Sequence, residues 1–298
     1  MRFCKVKARA KVNLTLDITG REGKYHLLDS LMLPIDLHDL VCVTKRKDGL
    51  IRLTSRGMGS EKIPETENNA YKAAVLFRDR FATGGADISV YKNIPTGAGL
   101  GGSSADAAGV LTALQRLYLP SADAAQKAQI AEIADATGSD TRSMYLGGAV
   151  RMRGRGDIAE RLFPTENDYR KSGAKKLYFL LVCPQTAVST PSCFALYDEE
   201  NAATSPVTER AVRAYAEGDT ATLFGCMKND LARAACRLNA DVAEALREVA
   251  AFSPDGYGVS GSGSAVFAVF ETKELRDWAK SRYKGRFRTI AAESVEND

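Results

Sequence analysis

The sequence predicts a mixed α+β protein with two domains, and three observations support this fold class. The first third is dominated by alternating polar and apolar residues, which are typical of β-strands. The middle carries two successive helical patterns without a strand between them, and the second half has helices and strands of its own. A chain of 298 residues is also long enough for two domains. We therefore expect domains at residues 1–162 and 163–298, with the boundary beside the polar segment 164–176.

The N-terminal elements are predicted to be strands. From Cys4 to Ile18, apolar side chains occupy every second position, which predicts one bent strand or two successive strands with a single apolar face. Lys11 and Asn13 fall on the opposite face and are predicted to point away from the core. Two further β-rich runs follow in "LVCVTKRKDGLIRLTS", and Asp48-Gly49 between them predicts a hairpin turn.

Helical patterns dominate the middle of the chain. Apolar residues at helical spacing predict a helix over 68–81, and "DISVYKNI" then predicts a strand that ends before Pro95. The segment "ADAAGVLTALQRLYL" predicts a second helix, and a third follows after Pro120 with Ser121 as its expected N-cap. In the second half, strands are predicted at "LYFLLVCP" and "SAVFAVF", and helices at 208–232 and 239–251.

Composition and charge restrict the class of protein. No apolar run approaches the roughly 20 residues that cross a bilayer, and the alternating N-terminus differs from a signal peptide, so we expect a cytoplasmic protein without membrane association. Six cysteines without C-x-x-C spacing predict buried apolar side chains and indicate neither zinc nor disulfides. A net charge of +4 is too mild for a nucleic-acid surface and compatible with an anionic small-molecule substrate.

A glycine-rich loop, "NIPTGAGLGGSSADAAG" at residues 93–109, is the most informative motif. It matches the dinucleotide fingerprint G-x-G-x-x-G, but a helix follows where that fold requires a second parallel strand. It lacks the Gly-Lys-Ser/Thr of a Walker A loop. The remaining interpretations are a phosphate-binding turn at a helix N-terminus, which we favour, and a plain Gly-Ser turn. Ser103 and Ser104 are expected either to cap the helix or to donate hydrogen bonds to phosphate.

Six ordered motifs resemble those of one kinase superfamily. "IPTGAGLGGSSADAA" resembles the phosphate loop of the kinases that include galactokinase, homoserine kinase, mevalonate kinase and phosphomevalonate kinase (the GHMP kinases), and most closely that of the 4-diphosphocytidyl-2-C-methyl-D-erythritol kinase branch. The others are "AKVNLTLDITGREGKYHLLDSLM", "GSDTRSMYLGGAVRMRGRGD", "VSTPSCF", "MKNDLA" and "YGVSGSGSAVFAVF". The resemblance implies an α+β GHMP-kinase fold whose N-terminal lobe is like domain 2 of ribosomal protein S5 and whose C-terminal lobe is ferredoxin-like. It also implies an active site in the cleft between the lobes.

The resemblance assigns roles to individual residues. It implies Asp140 as general base and Lys11 as its electrostatic partner, which suits phosphorylation of an alcohol. The implied ATP-binding residues are Asn68, Lys92, Pro95, Gly97, Gly99, Gly101, Gly102, Ser103, Ser104 and Asp106, although Asn68 also fits a helix N-cap. The implied substrate-binding residues are Asn13, Tyr25, His26, Thr190 and Phe194, whose aromatic members suit a cytosine ring. Mg²⁺ is expected with ATP, and its ligands stay unassigned.

The function implied is ATP-dependent phosphorylation of the 2-hydroxyl of 4-diphosphocytidyl-2-C-methyl-D-erythritol in the non-mevalonate isoprenoid pathway. A related kinase for another alcohol, such as homoserine or mevalonate, and a non-catalytic nucleotide-binding relative stay open, as do monomer and homodimer. The chain departs from the branch after Asp140, where Thr141-Arg142 replaces Val-Pro, and after "ND", where an acid is missing. Arg151, Arg153 and Arg155 alternate on one strand face, which we interpret as a solvated face in preference to a diphosphate contact.

Overall fold

The computed structural model describes residues 2–59, 64–200 and 204–296. The chain forms two compact units that are each discontinuous in sequence. Unit 1 comprises Met1–Ala10, Leu37–Thr96 and Gly101–Leu146, and unit 2 comprises Lys11–Asp36, Gly97–Leu100 and Gly147–Asp298. The boundary near residue 163 that the sequence suggests falls inside unit 2, and as a domain boundary it stays a prediction.

Unit 1 packs helices against one face of a sheet. Strand β3 (Tyr25–Lys45) pairs in its C-terminal half with β1 (Phe3–Asn13) and β5 (Ala86–Lys92), and β5 pairs in parallel with β4 (Ile51–Gly57). Its helices are α1 (Asn69–Phe81), α2 (Gly102–Tyr118), α3 (Ala124–Thr137) and α4 (Thr141–Leu146). A Cβ on Gly109 of α2 would lie 3.0 Å from Val41 and 3.1 Å from Ala8, so this glycine lets the helix approach the sheet closely.

Unit 2 contains two groups of strands. The N-terminal half of β3 pairs with β2 (Asp17–Glu22) and β6 (Val150–Gly154), and β6 pairs with β7 (Ile158–Arg161). A second, antiparallel sheet has the order β11-β8-β10-β9, formed by β8 (Tyr178–Cys183), β9 (Gly256–Val259), β10 (Val266–Phe270) and β11 (Arg288–Glu293).

Within the described ranges of unit 2, the chain forms seven helices. They are α5 (Glu166–Lys171), α6 (Thr190–Glu200), α7 (Thr208–Glu217), α8 (Thr220–Gly225), α9 (Ala232–Leu238), α10 (Ala240–Ala250) and α11 (Lys273–Arg282). The apolar core of this unit joins the second sheet to these helices, with Leu180 and Val266 from the strands and Val242 and Val249 from α10 fully buried. Leu16 forms a bridge with Asn229, which brings the "MKNDLA" motif beside the N-terminal strands.

Most elements confirm the sequence-based predictions, and three details correct them. The predicted hairpin at Asp48-Gly49 is wrong, because β5 lies between β3 and β4 in the sheet. The N-cap of α3 is Asp123, which forms a capping box with Gln126, and not Ser121. The helical pattern at 208–232 is divided into α7 and α8, with α9 beginning only at Ala232, and α7 is capped by Gly218 in the left-handed region.

The predicted side-chain environments can also be compared with the structure. Four of the six cysteines are buried, in agreement with their predicted role as small apolar residues. Over the ranges that the structure describes, no helix combines the length and apolar character needed to span a bilayer.

Candidate active site

The glycine-rich loop turns through residues with positive φ and continues into α2. Gly97, Gly99 and Gly101 have φ of 69°, 73° and 73°. A Cβ on Gly99 would lie 2.1 Å from the carbonyl oxygen of Ser260, so only glycine fits there. Gly101 is the N-cap of α2 and has no side chain to occupy the first backbone N–H groups. The loop therefore presents a helix N-terminus of the kind that binds phosphate.

The remaining loop residues have distinct positions. Pro95 is buried where the chain leaves β5, and Gly102 is the first residue of α2. The alternative in which Ser103 or Ser104 caps α2 is wrong, because both lie inside its first turn. Ser103 is exposed and Ser104 is buried.

Asn68 and Lys92 both make contacts inside unit 1. The Asn68 side chain accepts a hydrogen bond from the N–H of Ala70 at 2.9 Å, which confirms the predicted N-cap of α1. The Lys92 ammonium forms ion pairs with Asp106 of α2 and with Asp39 of β3. Asp39 was missed by sequence reasoning; it lies next to His38 and three residues after Asp36, so the surrounding sequence gives no signal that sets it apart.

The predicted base, Asp140, is half-buried and lies directly before α4. The turn that carries it is tightly packed, since a Cβ on Gly138 would lie 2.9 Å from Thr141 Oγ1 and 3.0 Å from Ser104 Oγ. The start of α2 and the turn that carries Asp140 are thus in direct contact. Thr141 is fully buried.

Arg142, the second unusual residue after Asp140, has an acidic partner on α3. Its guanidinium forms a two-contact ion pair with Asp135, with Nε to Oδ1 at 2.7 Å. An arginine beside the base therefore has its charge balanced by a neighbouring carboxylate.

In unit 2, Lys11 and Asn13 share a face of β1, as predicted, but they are buried and do not point to solvent. Lys11 is 5% exposed and Asn13 is 2% exposed. The Lys11 ammonium donates to Asn13 Oδ1 at 2.5 Å, and Asn13 Nδ2 donates to Ser30 Oγ at 2.8 Å. The prediction failed because the turn at Ser260-Gly261 covers this face, with the N–H of Asn13 donating to Ser260 Oγ at 3.3 Å.

The turn that covers Lys11 is held by residues from two other motifs. Asn229 of "MKNDLA" donates through Nδ2 to the carbonyl oxygens of Val259 and Gly261 at 2.8 and 2.7 Å. Thr190, a predicted substrate residue, is hydrogen-bonded to Ser262 at 2.7 Å between the hydroxyl oxygens. Ser260 donates to the Gly99 carbonyl at 3.0 Å, so this turn also contacts the glycine loop. Asn229 and Ser260, which sequence reasoning did not single out, hold this turn in place.

Two of the three aromatic side chains predicted to bind substrate lie in contact with each other. His26 and Phe194 stack with ring centroids 4.5 Å apart and an interplanar angle of 18°. His26 Nε2 lies 2.7 Å from Asp198 Oδ1, and Arg21 pairs with the other oxygen of that carboxylate at 3.1 Å. Asp198 was absent from the prediction, although it is four residues after Phe194 and therefore lies on the same face of α6.

Tyr25, the third predicted aromatic, packs against a guanidinium group. Its ring is 47% exposed and lies beneath the guanidinium of Arg155, 4.8 Å from the centroid. Arg155 pairs with Glu22, Arg153 with Glu160, and Arg151 with both Asp29 and Glu209. The three alternating arginines thus have carboxylate partners. The side chains of Arg153 and Arg155 are 42% and 44% exposed, as a solvated face requires, whereas that of Arg151 is only 19% exposed.

Comparison with known proteins defines the class to which this fold and these motifs belong. Residues 68–148 match the model of the GHMP kinases N terminal domain. The fold is shared with a crystal structure of homoserine kinase from Cytophaga hutchinsonii, with a TM-score of 0.73 and 18% identity over 100% of this chain and 96% of that one. These matches define the class of the fold, which is the α+β fold of the GHMP kinases.

Closer relatives define the family within this class. A crystal structure of 4-(cytidine 5'-diphospho)-2C-methyl-D-erythritol kinase has a TM-score of 0.79 and 29% identity, with 99% of this chain and 100% of that chain covered. The 4-diphosphocytidyl-2-C-methyl-D-erythritol kinase of Alkaliphilus metalliredigens is 34% identical over 95% of this chain and 92% of its own length. The chain belongs to the 4-diphosphocytidyl-2-C-methyl-D-erythritol kinase family of small-molecule kinases.

Proposed function

We propose that this protein transfers the γ-phosphoryl group of ATP to the 2-hydroxyl of 4-diphosphocytidyl-2-C-methyl-D-erythritol, in the non-mevalonate route to isoprenoid precursors in the cytoplasm. The observation that carries the choice of substrate is the stacked pair of His26 and Phe194 with the carboxylate of Asp198 behind it. A ring pair with a fixed hydrogen-bonding edge suits a pyrimidine base and has no use in binding homoserine or mevalonate.

The imidazole of His26 gives this pair chemical selectivity. When Nε2 donates its hydrogen to Asp198, the other ring nitrogen, Nδ1, is left as a hydrogen-bond acceptor. An acceptor at that position suits the exocyclic amino group of cytosine and disfavours the carbonyl that uracil carries in its place. Phe194 contributes a ring face, and Tyr25, Asn13 and Thr190 are the further candidates for contact with the base, the sugar or the erythritol.

The chemistry of transfer is assigned to the remaining candidates. The loop from Gly97 to Ser104 holds the ATP phosphates with backbone N–H groups and the positive end of the α2 dipole. Asp140 takes the proton of the attacking hydroxyl, and the Lys11 ammonium attracts the transferring phosphoryl group. Because phosphoryl transfer is mainly a matter of alignment and charge stabilisation, these few groups are sufficient.

Mg²⁺ is expected to accompany ATP, where it neutralises phosphate charge. Within the described ranges of the chain, no three His, Cys, Asp or Glu side chains are grouped so as to hold a metal ion.

A coupled assay of ADP release tests the proposal. Turnover is measured with 4-diphosphocytidyl-2-C-methyl-D-erythritol, mevalonate and homoserine in parallel, and the uridine analogue of the first substrate tests the selectivity of His26. We expect turnover with the cytidyl substrate and much less with the other three. Turnover with another alcohol would assign the protein to a sister activity, and ATP binding without any turnover would identify a non-catalytic relative.

Replacing Phe194 with leucine is expected to weaken substrate binding selectively. Loss of stacking on a base corresponds to about 1–3 kcal/mol, so KM for the cytidyl substrate should rise roughly 5- to 150-fold. The KM for ATP and kcat should change little. Phe252→Leu is the matched control, because that ring packs against Trp278 in the same unit. An unchanged substrate KM in the Phe194 variant would contradict the stacking role.

Substitution of Gly99 by alanine is expected to disrupt the phosphate loop. The new Cβ would displace the Ser260 carbonyl, and a misplacement of about 1 Å in a site of this kind reduces kcat/KM by about 10²-fold. Gly23→Ala is the control, since Gly23 has φ of 59° and nothing within 4 Å of the added atom. Steady-state kinetics with ATP as the varied substrate makes the measurement. Equal effects of the two substitutions would show that backbone strain, and not the close approach to Ser260, is responsible.

A further inference from the structure

Three buried ionisable side chains meet at the base of the glycine-rich loop. Lys92 from the end of β5 forms ion pairs with Asp39 from β3 and Asp106 from α2. The side chains of these residues are 11%, 0% and 6% exposed, in that order. The Lys92 ammonium also lies 3.4 Å from the carbonyl oxygen of Gly102. All three hydrogens of the ammonium therefore have an acceptor within the protein.

The cluster holds both ends of the loop. On the side where the chain leaves β5, Asp39 Oδ1 accepts the backbone N–H groups of Asn93 and Ile94 at 2.5 and 2.8 Å. On the side where α2 begins, Lys92 binds Gly102 and Asp106, which belong to the first turns of the helix. The residues between these two ends are those proposed to hold the ATP phosphates.

The charges of the cluster are not balanced when all three groups are ionised. Two carboxylates then face one ammonium, and Asp106 Oδ1 is buried without a hydrogen-bond partner among the described residues. Burial raises the pKa of Asp106 to about 8, an effect that the Lys92 ammonium opposes and the Asp39 carboxylate reinforces. Burial alone would lower the pKa of Lys92, but Asp106 and Asp39 outweigh it and the pKa of Lys92 is raised. Protonation of Asp106 makes the cluster neutral overall.

We propose that Asp39, Lys92 and Asp106 form an ionic clamp that positions the phosphate loop, and that the nucleotide binds preferentially to the form of the clamp in which Asp106 is neutral. An ionised Asp106 places a negative charge in the second turn of α2, where it opposes the positive field that the helix N-terminus offers to phosphate. Lys92 and Asp106 are positioning residues in this proposal. It rests on the proposed function only in placing ATP at this loop.

The sign of the pH dependence follows from this preference. Because the bound phosphates favour protonated Asp106, affinity is highest below the pKa of that carboxyl and falls as the pH rises through it. The charged groups that face Asp106 within the described structure are Lys92 from β5 and Asp39 from β3. Of these two, the lysine stays charged across the range in which Asp106 titrates, because its pKa is raised.

Nucleotide binding by isothermal titration calorimetry tests the clamp, with ADP and a non-hydrolysable ATP analogue as probes at pH values from 6.5 to 9.5. For the unmodified protein, we expect Kd to rise by about 3- to 30-fold across this range, the size of one added charge near the phosphates. Binding near pH 8 should also take up protons, measured from the difference between two buffers of unequal ionisation enthalpy. In Asp106→Asn, which keeps the shape of the side chain, both the rise in Kd and the proton uptake should disappear.

Two further variants keep the test decisive. Asp39→Asn leaves Lys92 and Asp106 as a balanced pair, so Asp106 should stay ionised throughout and Kd should again be independent of pH. Asp87→Asn removes a carboxylate of β5 that pairs with Arg46 at the surface, and it should behave as the unmodified protein. Thermal unfolding checks that each variant is folded.

The outcomes separate the clamp from the proposed function. Identical pH profiles for the unmodified protein and Asp106→Asn would overturn the clamp, even if the kinase assay succeeds. Nucleotide binding that follows the expected profiles would support it, even if the cytidyl substrate is not turned over. Absence of nucleotide binding at every pH would overturn both the clamp and the assignment of ATP to this loop.

Discussion

Replacement of Asp140 by asparagine is expected to reduce kcat by about 10²- to 10⁴-fold, the usual contribution of a positioned general base. Asparagine has nearly the same shape as aspartate but cannot accept the proton of the substrate hydroxyl at neutral pH. The packing of the turn, in which Gly138 contacts Ser104 and Thr141, should survive this change. We therefore expect the Kd for ADP and the KM for the cytidyl substrate to stay within about threefold of their original values. The reason is that the substitution leaves the contacts that bind ground state and transition state equally unchanged.

Single-turnover kinetics with a calorimetric measurement of ADP binding would separate chemistry from binding in this variant. Asp87→Asn serves as the control for the same substitution at a surface ion pair of unit 1. Asp135→Asn, which removes the partner of Arg142, adds a second comparison. Full activity of Asp140→Asn would remove Asp140 from the role of base.

The alternating pattern of the N-terminal strands illustrates what the sequence could predict. It correctly placed Lys11 and Asn13 on one face of β1, because side chains at every second position of a strand share a face. It could not predict that the face is buried, since the covering turn at Ser260-Gly261 is about 250 residues away in the chain. Periodicity reports which residues lie together on an element and contains no information on what packs against it.

At the glycine loop, too, local features were predictable from the sequence and contacts with distant elements were not. The helix after the loop was predictable from local glycines and apolar spacing, whereas its phosphate-binding character stays a prediction. The role of Asp39 was not, because it depends on β5 lying next to β3, whereas Asp48-Gly49 had indicated that β4 would be the neighbour. A turn signal fixes a change in chain direction but does not determine which strands pair.

Substitution of Lys11 by methionine is expected to be the second most damaging change. Methionine has similar length and can occupy the buried space, but it removes the positive charge proposed to stabilise the transferring phosphoryl group. The removal of one such electrostatic contact reduces kcat by about 10²- to 10³-fold. Asn13 loses the hydrogen bond that the ammonium donates to its Oδ1, so a modest fall in thermal stability is also expected.

Two comparisons separate charge from packing at this position. Lys11→Arg keeps the charge in a bulkier group and should recover part of kcat, whereas loss by packing alone would make arginine at least as damaging as methionine. Lys176→Met removes a surface lysine of the same unit that pairs with Glu293, and it should leave kcat unchanged. The decisive measurement is kcat for all three variants at saturating ATP and cytidyl substrate. Equal activity of Lys11→Met and the unmodified protein would exclude a role for the ammonium in catalysis and leave Lys11 as a structural donor to Asn13.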